Sequence, residues 1–256
     1  SWSESTPLHD ALAASDGVVN LAGEPIAEQR WTVQHLETLE SSRLETTRHL
    51  VSALATLAKP PSVLVNASAV GYFGTSLDGR FEESSPVGQD FLARLCQKWE
   101  QAAAEKPAAT RLVVLRIGIV LSSQGGALAK MLPVFRAGFG GPIGSGQQWM
   151  SWIERGDLCR IIQSSLETDS WSGVINAVAP DPVTMAVFAG SLGRCLGRPS
   201  LLPVPGPMLQ LLLGDGSKVV LEGQFVSSSR LEALGFNFLC PTLPVALDVA
   251  TSSSNR

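Results

Sequence analysis

The segment Val113-Val-Leu-Arg-Ile-Gly-Ile-Val-Leu121 decides the fold class, together with Gly125-Gly126 and Gly138-Phe-Gly-Gly-Pro-Ile-Gly-Ser-Gly-Gln-Gln-Trp-Met-Ser-Trp-Ile153 that follow it. A run of apolar β-formers broken by one Arg and one Gly reads as a buried parallel strand whose carboxyl end meets a ligand. Similar short runs flank it at Gly17-Val-Val-Asn-Leu-Ala-Gly23, Ser62-Val-Leu-Val-Asn-Ala-Ser68 and Gly173-Val-Ile-Asn-Ala-Val178. We place the central strand over Leu112–Leu121. Between the runs, Leu36, Leu39, Leu44, Leu50 and Leu54 recur at roughly helical spacing, and Pro60-Pro61 stops that helix. Asp90 is a fair N-cap for a helix over 90–104, and Leu8–Ala14 reads as a short helix. Strands alternating with helices predict an α/β protein with a mostly parallel, doubly wound sheet.

The chain has 256 residues, 45% hydrophobic and 16% charged, enough to bury a sizeable core. A net charge of −4 with no basic stripe excludes a nucleic-acid partner. No stretch is long and apolar enough to span a membrane; Leu209–Leu213, between Pro207 and Gly214, reads as a core helix or packing face. Cys96, Cys159, Cys195 and Cys240 are far apart without a CxxC pair, which fits free thiols in a reducing compartment. His9, His35 and His49 read as surface residues, none at metal spacing, so no metal is expected. No G-x-S-x-G elbow appears, against a serine hydrolase. Texture divides the chain into 1–180, a smaller C-terminal unit over 181–251 rich in Pro, and a tail at 252–256.

Several residues are candidates for chemistry. The strand end Asn20-Leu21-Ala22-Gly23 either meets a cofactor or is a turn needing Asn and Gly; both readings stand. Ser68 lies just past a buried strand, and Tyr72 is the one tyrosine; a hydroxyl there can bind a carbonyl or hydroxyl substrate, although a turn residue and a packed aromatic are the plainer assignment. Arg116, inside an apolar strand, needs a carboxylate, a phosphate or several carbonyls. A structural pair with Glu100 or Asp157 stands ahead of ligand contact. The Gly138–Trp152 loop is not a P-loop, lacking its Lys and Ser/Thr. Gln147, Gln148, Trp149 and Trp152 offer amides and flat faces, so we read it as a substrate or cofactor lid. Asp157 reads as a helix N-cap.

Taken in order, Val18-Val-Asn-Leu-Ala-Gly-Glu-Pro-Ile26, Arg30-Trp31, Ser42-Arg43, Ser68-Ala-Val-Gly-Tyr-Phe-Gly74, Asp90-Phe-Leu92, Trp99-Glu100, Leu115-Arg-Ile-Gly-Ile-Val-Leu121, Gly140-Gly-Pro-Ile-Gly-Ser-Gly146, Trp152-Ile153, Asn176-Ala-Val-Ala-Pro180, Gly197-Arg-Pro199, Val204-Pro205, Glu222-Gly-Gln224 and Gly235-Phe236 form a family pattern. The chain resembles the atypical extended short-chain dehydrogenase/reductases, NAD(P)-dependent epimerase-like proteins with a small C-terminal domain of unknown function, some described as SulA-like cell-division inhibitors. The resemblance implies a Rossmann-type sheet binding NADP, with NAD as the alternative. It implies that Leu21, Ala22, Gly23, Ala67, Ser68, Ala69, Arg116, Ile117, Gly118 and Val120 line the dinucleotide. It places Gly144, Gln147, Trp149 and Trp152 on the substrate side, with Ser68 and Tyr72 at the reacting end.

Two departures matter. The family's glycine-rich first βα turn, which holds a pyrophosphate at a helix N-terminus, does not occur in this chain. Ser1-Trp-Ser-Glu4 resembles the stretch before the fourth family strand, so we expect a fragment of a longer protein. Related enzymes also use a Tyr-x-x-x-Lys pair on the helix after the Ser strand, where this chain reads Asp90-Phe-Leu-Ala-Arg-Leu-Cys-Gln-Lys98. The expectation is therefore an oxidoreductase or epimerase-like protein acting on an unknown small hydroxyl or carbonyl compound, in cytoplasm or plastid stroma. The rival is a dinucleotide sensor without turnover that acts through a protein partner in cell or plastid division.

Overall fold

The computed structural model describes residues 5–204, 206 and 214–252. In chain order the elements are α1 (Ser5–Ala13), β1 (Gly17–Asn20), α2 (Val33–Ala55), β2 (Val63–Ala69), β3 (Arg80–Phe81), α3 (Phe91–Ala104), β4 (Arg111–Ile117), β5 (Ile119–Leu121), α4 (Gly126–Arg136), β6 (Trp149–Met150) and β7 (Trp152–Glu154). Then follow α5 (Arg155–Glu167), β8 (Gly173–Ala177), β9 (Val183–Thr184), α6 (Met185–Cys195), α7 (Lys218–Leu221), β10 (Phe225–Val226), α8 (Ser229–Ala233) and α9 (Leu243–Ser252). The expected parallel sheet is present, in the order β1-β2-β4-β8.

Alternation along β2 sends side chains to both layers. Leu64 packs with Leu12, Leu50, Val51 and Leu54 of α1 and α2. Val63 and Val65 join Val113, Leu115, Leu158 and Ile161 in the main core. That core also holds Phe188 and Leu192 of α6 and Leu243, Ala246 and Leu247 of α9, so the C-terminal elements bury their apolar faces in the same cluster as the sheet. The caps follow side-chain chemistry: Thr32 Oγ1 accepts from His35 N at 3.1 Å, and Asp90 Oδ1 accepts from Ala93 N at 2.8 Å.

Several expectations are corrected. The run over Leu112–Leu121 is two strands. The chain turns at Gly118, whose N–H donates to Ala177 O, and β5 leaves the main sheet to pair with β7. The cap of α5 is Glu154, accepting from Asp157 N at 3.1 Å. Asp157 sits in the first turn and accepts from Leu239 N at 3.0 Å, Cys240 N at 2.8 Å and Arg160 Nη1 at 2.9 Å, tying down the segment before α9. His35 is buried near the start of α2, where a surface position was expected. The helix α9 runs through Ser252, so the expected tail does not begin there, and 253–256 lie outside the described residues. Ser1–Glu4, Pro205 and Pro207, and the expected Leu209–Leu213 helix also lie outside them.

Candidate functional site

The carboxyl end of β1 is open. Asn20 is buried and its Nδ2 donates to Asn66 Oδ1 at 2.7 Å and Thr47 Oγ1 at 2.9 Å, while Trp99 Nε1 donates to the same hydroxyl at 2.9 Å. This satisfied network joins β1, β2, α2 and α3, and it fixes where the chain leaves the sheet. Ala22 N–H donates back to Asn20 Oδ1 at 3.3 Å. Leu21, 54% exposed, and the exposed Ala22 and Gly23 therefore form a small apolar ledge beyond the strand. Arg43 lies beneath it, its guanidinium bonded to Leu39 O and Glu24 O; a Cβ at Gly23 would come within 2.8 Å of that group.

A polar row crosses the sheet beside this ledge. Parallel register aligns Ser68 with Arg116 and Arg116 with Asn176. Arg116 grips Glu100 of α3 through two bonds, Nε to Oε1 at 2.8 Å and Nη2 to Oε2 at 2.9 Å, and donates Nη1 to Glu83 O. Glu83 in turn accepts from Asn176 N at 2.8 Å. Of the partners left open for Arg116, Glu100 is therefore the one it takes. Ser68 is only 2% exposed and donates its hydroxyl proton to Glu100 Oε1 at 2.7 Å. Its proton is directed at Glu100, so of the two ligand groups expected for it a hydroxyl suits better than a carbonyl. The Tyr72 ring lies under the Arg116 guanidinium, 3.3 Å from ring centroid to Cζ, an attractive cation–π contact.

Cys96, a free thiol, faces this row. Cys96 and Glu100 are four apart on α3, and so share a face of the helix. Burial pushes the Cys96 thiol up to about 11, against hydrogen bonds with the Ala69 backbone and the Ser68 hydroxyl that draw it down. The signal was present in the sequence: Cys96-x-x-x-Glu100 has the Tyr-x-x-x-Lys spacing, on the helix after the Ser strand.

The glycine-dense loop, expected as a lid, is anchored to its neighbours along its backbone. Its backbone is tied to the C-terminal stretch: Gly144 N–H donates to Val204 O, Val204 N–H to Pro142 O, and Ala186 N–H to Gly146 O. Gly141 lies against the Leu202 backbone, where a Cβ would clash. Gly140 faces the Phe135 ring, and Gly138, Gly144 and Gly146 adopt positive φ. Trp152 is fully buried, its indole N–H donating to Asp181 O at 2.7 Å, so it is a core residue and not a substrate wall. Trp149 donates to Leu77 O at 2.7 Å and packs edge-on against Phe225. Gln147 is exposed, and Gly144 abuts Leu221. Of the residues the resemblance assigns to a dinucleotide, Leu21, Ala22 and Gly23 are accessible. Ala69, Ile117, Gly118 and Val120 are half-buried, and Ala67, Ser68 and Arg116 are buried. A cavity of about 530 Å³ opens between the loop after β1 and the C-terminal elements.

Comparison with known proteins places this architecture. The model of the NAD dependent epimerase/dehydratase family matches residues 1–177, and a domain of unknown function, DUF1731, matches 204–250. The chloroplastic SDR39U1 homolog of Arabidopsis thaliana, an epimerase family protein, is 45% identical over 237 residues, 92% of this chain and 68% of the relative. Epimerase family protein SDR39U1 of Homo sapiens is 42% identical over 247 residues, covering 93% and 84%. The crystal structure of the human protein (isoform 2) with NADPH superposes with a TM-score of 0.91 at 41% identity, covering 95% of this chain and 86% of that one. A UDP-glucuronic acid 4-epimerase from Bacillus cereus in complex with NAD shares the fold, with a TM-score of 0.74 at 16% identity over 96% and 76% of the two chains. On its sheet, its matched sequence and these relatives, the chain belongs to the NAD dependent epimerase/dehydratase family, among the homologues of SDR39U1 and with the DUF1731 domain at its C-terminal end.

Proposed function

We propose that the chain works as an NADP(H)-binding oxidoreductase or epimerase-like protein on a small hydroxyl or carbonyl compound. NAD is the alternative cofactor. The observation that carries this reading is the open carboxyl end of β1, where a dinucleotide lies in doubly wound sheets. The ledge fits that group: Leu21 offers apolar area, Ala22 and Gly23 let the backbone approach closely, and the Asn20 network holds the loop in place without the ligand. Half-buried Ala69, Ile117, Gly118 and Val120 extend the wall towards the reacting end. The bound cofactor would supply hydride.

The residues of the chain divide the remaining work. The Glu100–Arg116 pair orients the Ser68 hydroxyl, which also borders the Cys96 thiol, and Ser68 would position a ligand hydroxyl rather than protonate it. Tyr72 is the candidate proton donor, its ring oriented by Arg116. Gly144, Gln147 and Trp149 flank the substrate side. We assign the protein to cytoplasm or plastid stroma, a choice supported by its free thiols and by the name of the plant relative.

Thermal-shift titration with NADPH and NADH is the test, run on this chain and on a form carrying the family's glycine-rich βα turn upstream. A ligand that binds only the native state raises the melting temperature. NADPH is expected to give the larger shift, and a folded protein with no shift from either nucleotide removes the reading. Turnover of NADPH on a carbonyl and nucleotide-sugar panel, lost in Tyr72→Phe, supports the enzyme. The lack of a Tyr-x-x-x-Lys pair and the Ser68 proton directed at Glu100 favour a second reading, a dinucleotide sensor acting through a protein partner, in line with the SulA-like description of some family members. NADPH binding with no turnover on any panel member would select it.

A further inference from the structure

The cavity beside the β1 loop has a chemistry of its own. Arg30 and Trp31 form one wall; Gly214, Ser217, Lys218, Leu221 and Glu222 form the other. Two glycines bring these walls together. A Cβ at Gly214, where φ is +58°, would come within 2.9 Å of Arg30 Nε, and one at Gly216 within 2.9 Å of Trp31 Cδ1. The Trp31 indole N–H is spent on Ile26 O at 2.8 Å, and its ring is braced edge-on by Phe91 at 5.6 Å. The indole thus offers the cavity a fixed apolar surface and no donor. Leu221 adds a second apolar surface opposite.

The charges select the ligand further. Among the described residues, Arg30 and Lys218 have no carboxylate partner, whereas Glu222 accepts from Thr75 Oγ1 at 2.8 Å. Two cations and one carboxylate leave a single net positive charge among the described lining residues. Arg30 and Lys218 attract an anion, and the Glu222 carboxylate favours a carboxylate over a dianionic phosphate. We propose that this cavity is the substrate pocket of the function proposed above, and that it takes a small carbonyl or hydroxyl compound bearing one carboxylate and a flat apolar group. The carboxylate is held by Arg30 and Lys218, the flat group by Trp31 and Leu221. Arg30 and Trp31 lie on the loop after β1 that also carries the Leu21–Gly23 ledge, and Leu221 abuts Gly144 on the other side.

Calorimetric titration of the whole chain with phenylpyruvate tests this without nucleotide, so its failure is separable from a failure to bind NADPH. Both cationic side chains are exposed, and circular dichroism with a thermal melt verifies the fold of each variant. Phenylpyruvate is expected to bind about tenfold more weakly to Arg30→Gln or Lys218→Gln than to the parent. Arg30→Lys should retain most of the affinity, and neutral acetophenone should bind more weakly than phenylpyruvate. Absence of phenylpyruvate binding to the parent, or equal binding to the Arg30→Gln/Lys218→Gln double variant, overturns the proposal. So does tighter binding of adenosine 2′-phosphate than of phenylpyruvate at the same cations, which would assign the cavity to the phosphate of NADP.

Discussion

Arg116 and Glu100 are the pair on which the polar row depends. Their side chains are 4% and 13% exposed, and each of the two carboxylate oxygens accepts from the guanidinium. Removing one member of such a pair leaves the other charge buried without compensation. Arg116→Leu is expected to lower the unfolding free energy by about 3–5 kcal/mol. Urea denaturation reads this directly, and a loss below about 1 kcal/mol would place the pair in solvent-like surroundings. The need for a partner was legible in the sequence, because a guanidinium inside an apolar strand must be neutralised. Which partner was not. Glu100 and Asp157 were equally available, and only the packing of α3 on β2 and β4 brings Glu100 within reach. The buried position of His35 was equally hidden, since nothing in its local pattern marks it.

At the level of elements, Gly118 divides what reads as one strand. A Cβ there would approach Ser151 O at 2.5 Å and Val178 at 2.9 Å, so the crossing of β5 into its pairing with β7 needs a bare backbone. Gly118→Ala is expected to cost about 1–3 kcal/mol as overpacking. Amide exchange at Ile119, whose N–H donates to Ser151 O at 2.8 Å, should accelerate with it. Unchanged exchange at that amide would mean that the crossing tolerates a methyl group. The helices were easier to read than this junction. Asp90 announces its cap through local chemistry. In the loop at 138–152, a glycine required by a neighbouring backbone, as Gly141 is beside Leu202, looks in sequence like a glycine required by a ligand.

For the molecule as a whole, one apolar cluster runs from Val113 and Ile175 in the sheet to Phe188 of α6 and Leu247 of α9. Elements that share a core this way lose their packing together. Thermal unfolding followed by far-ultraviolet and near-ultraviolet circular dichroism is expected to give coincident single transitions. An earlier transition confined to the C-terminal tryptic peptides in pulsed hydrogen exchange would instead make the two parts independent.

By itself the sequence determined the α/β class, the positions of β1, β2, β4 and β8, the cap of α3, and the requirement that Arg116 be paired. These follow from side-chain periodicity, turn chemistry and the cost of burying a charge, all of which act over a few residues. The tertiary structure alone decided that Glu100 is the partner, that the proton of Ser68 is spent, and that Trp152 belongs to the core. It also decided that Arg30 and Trp31 meet Lys218 and Leu221 across a cavity. Those outcomes join residues far apart in the chain, and their geometry is set by how helices and strands pack, which no local pattern encodes.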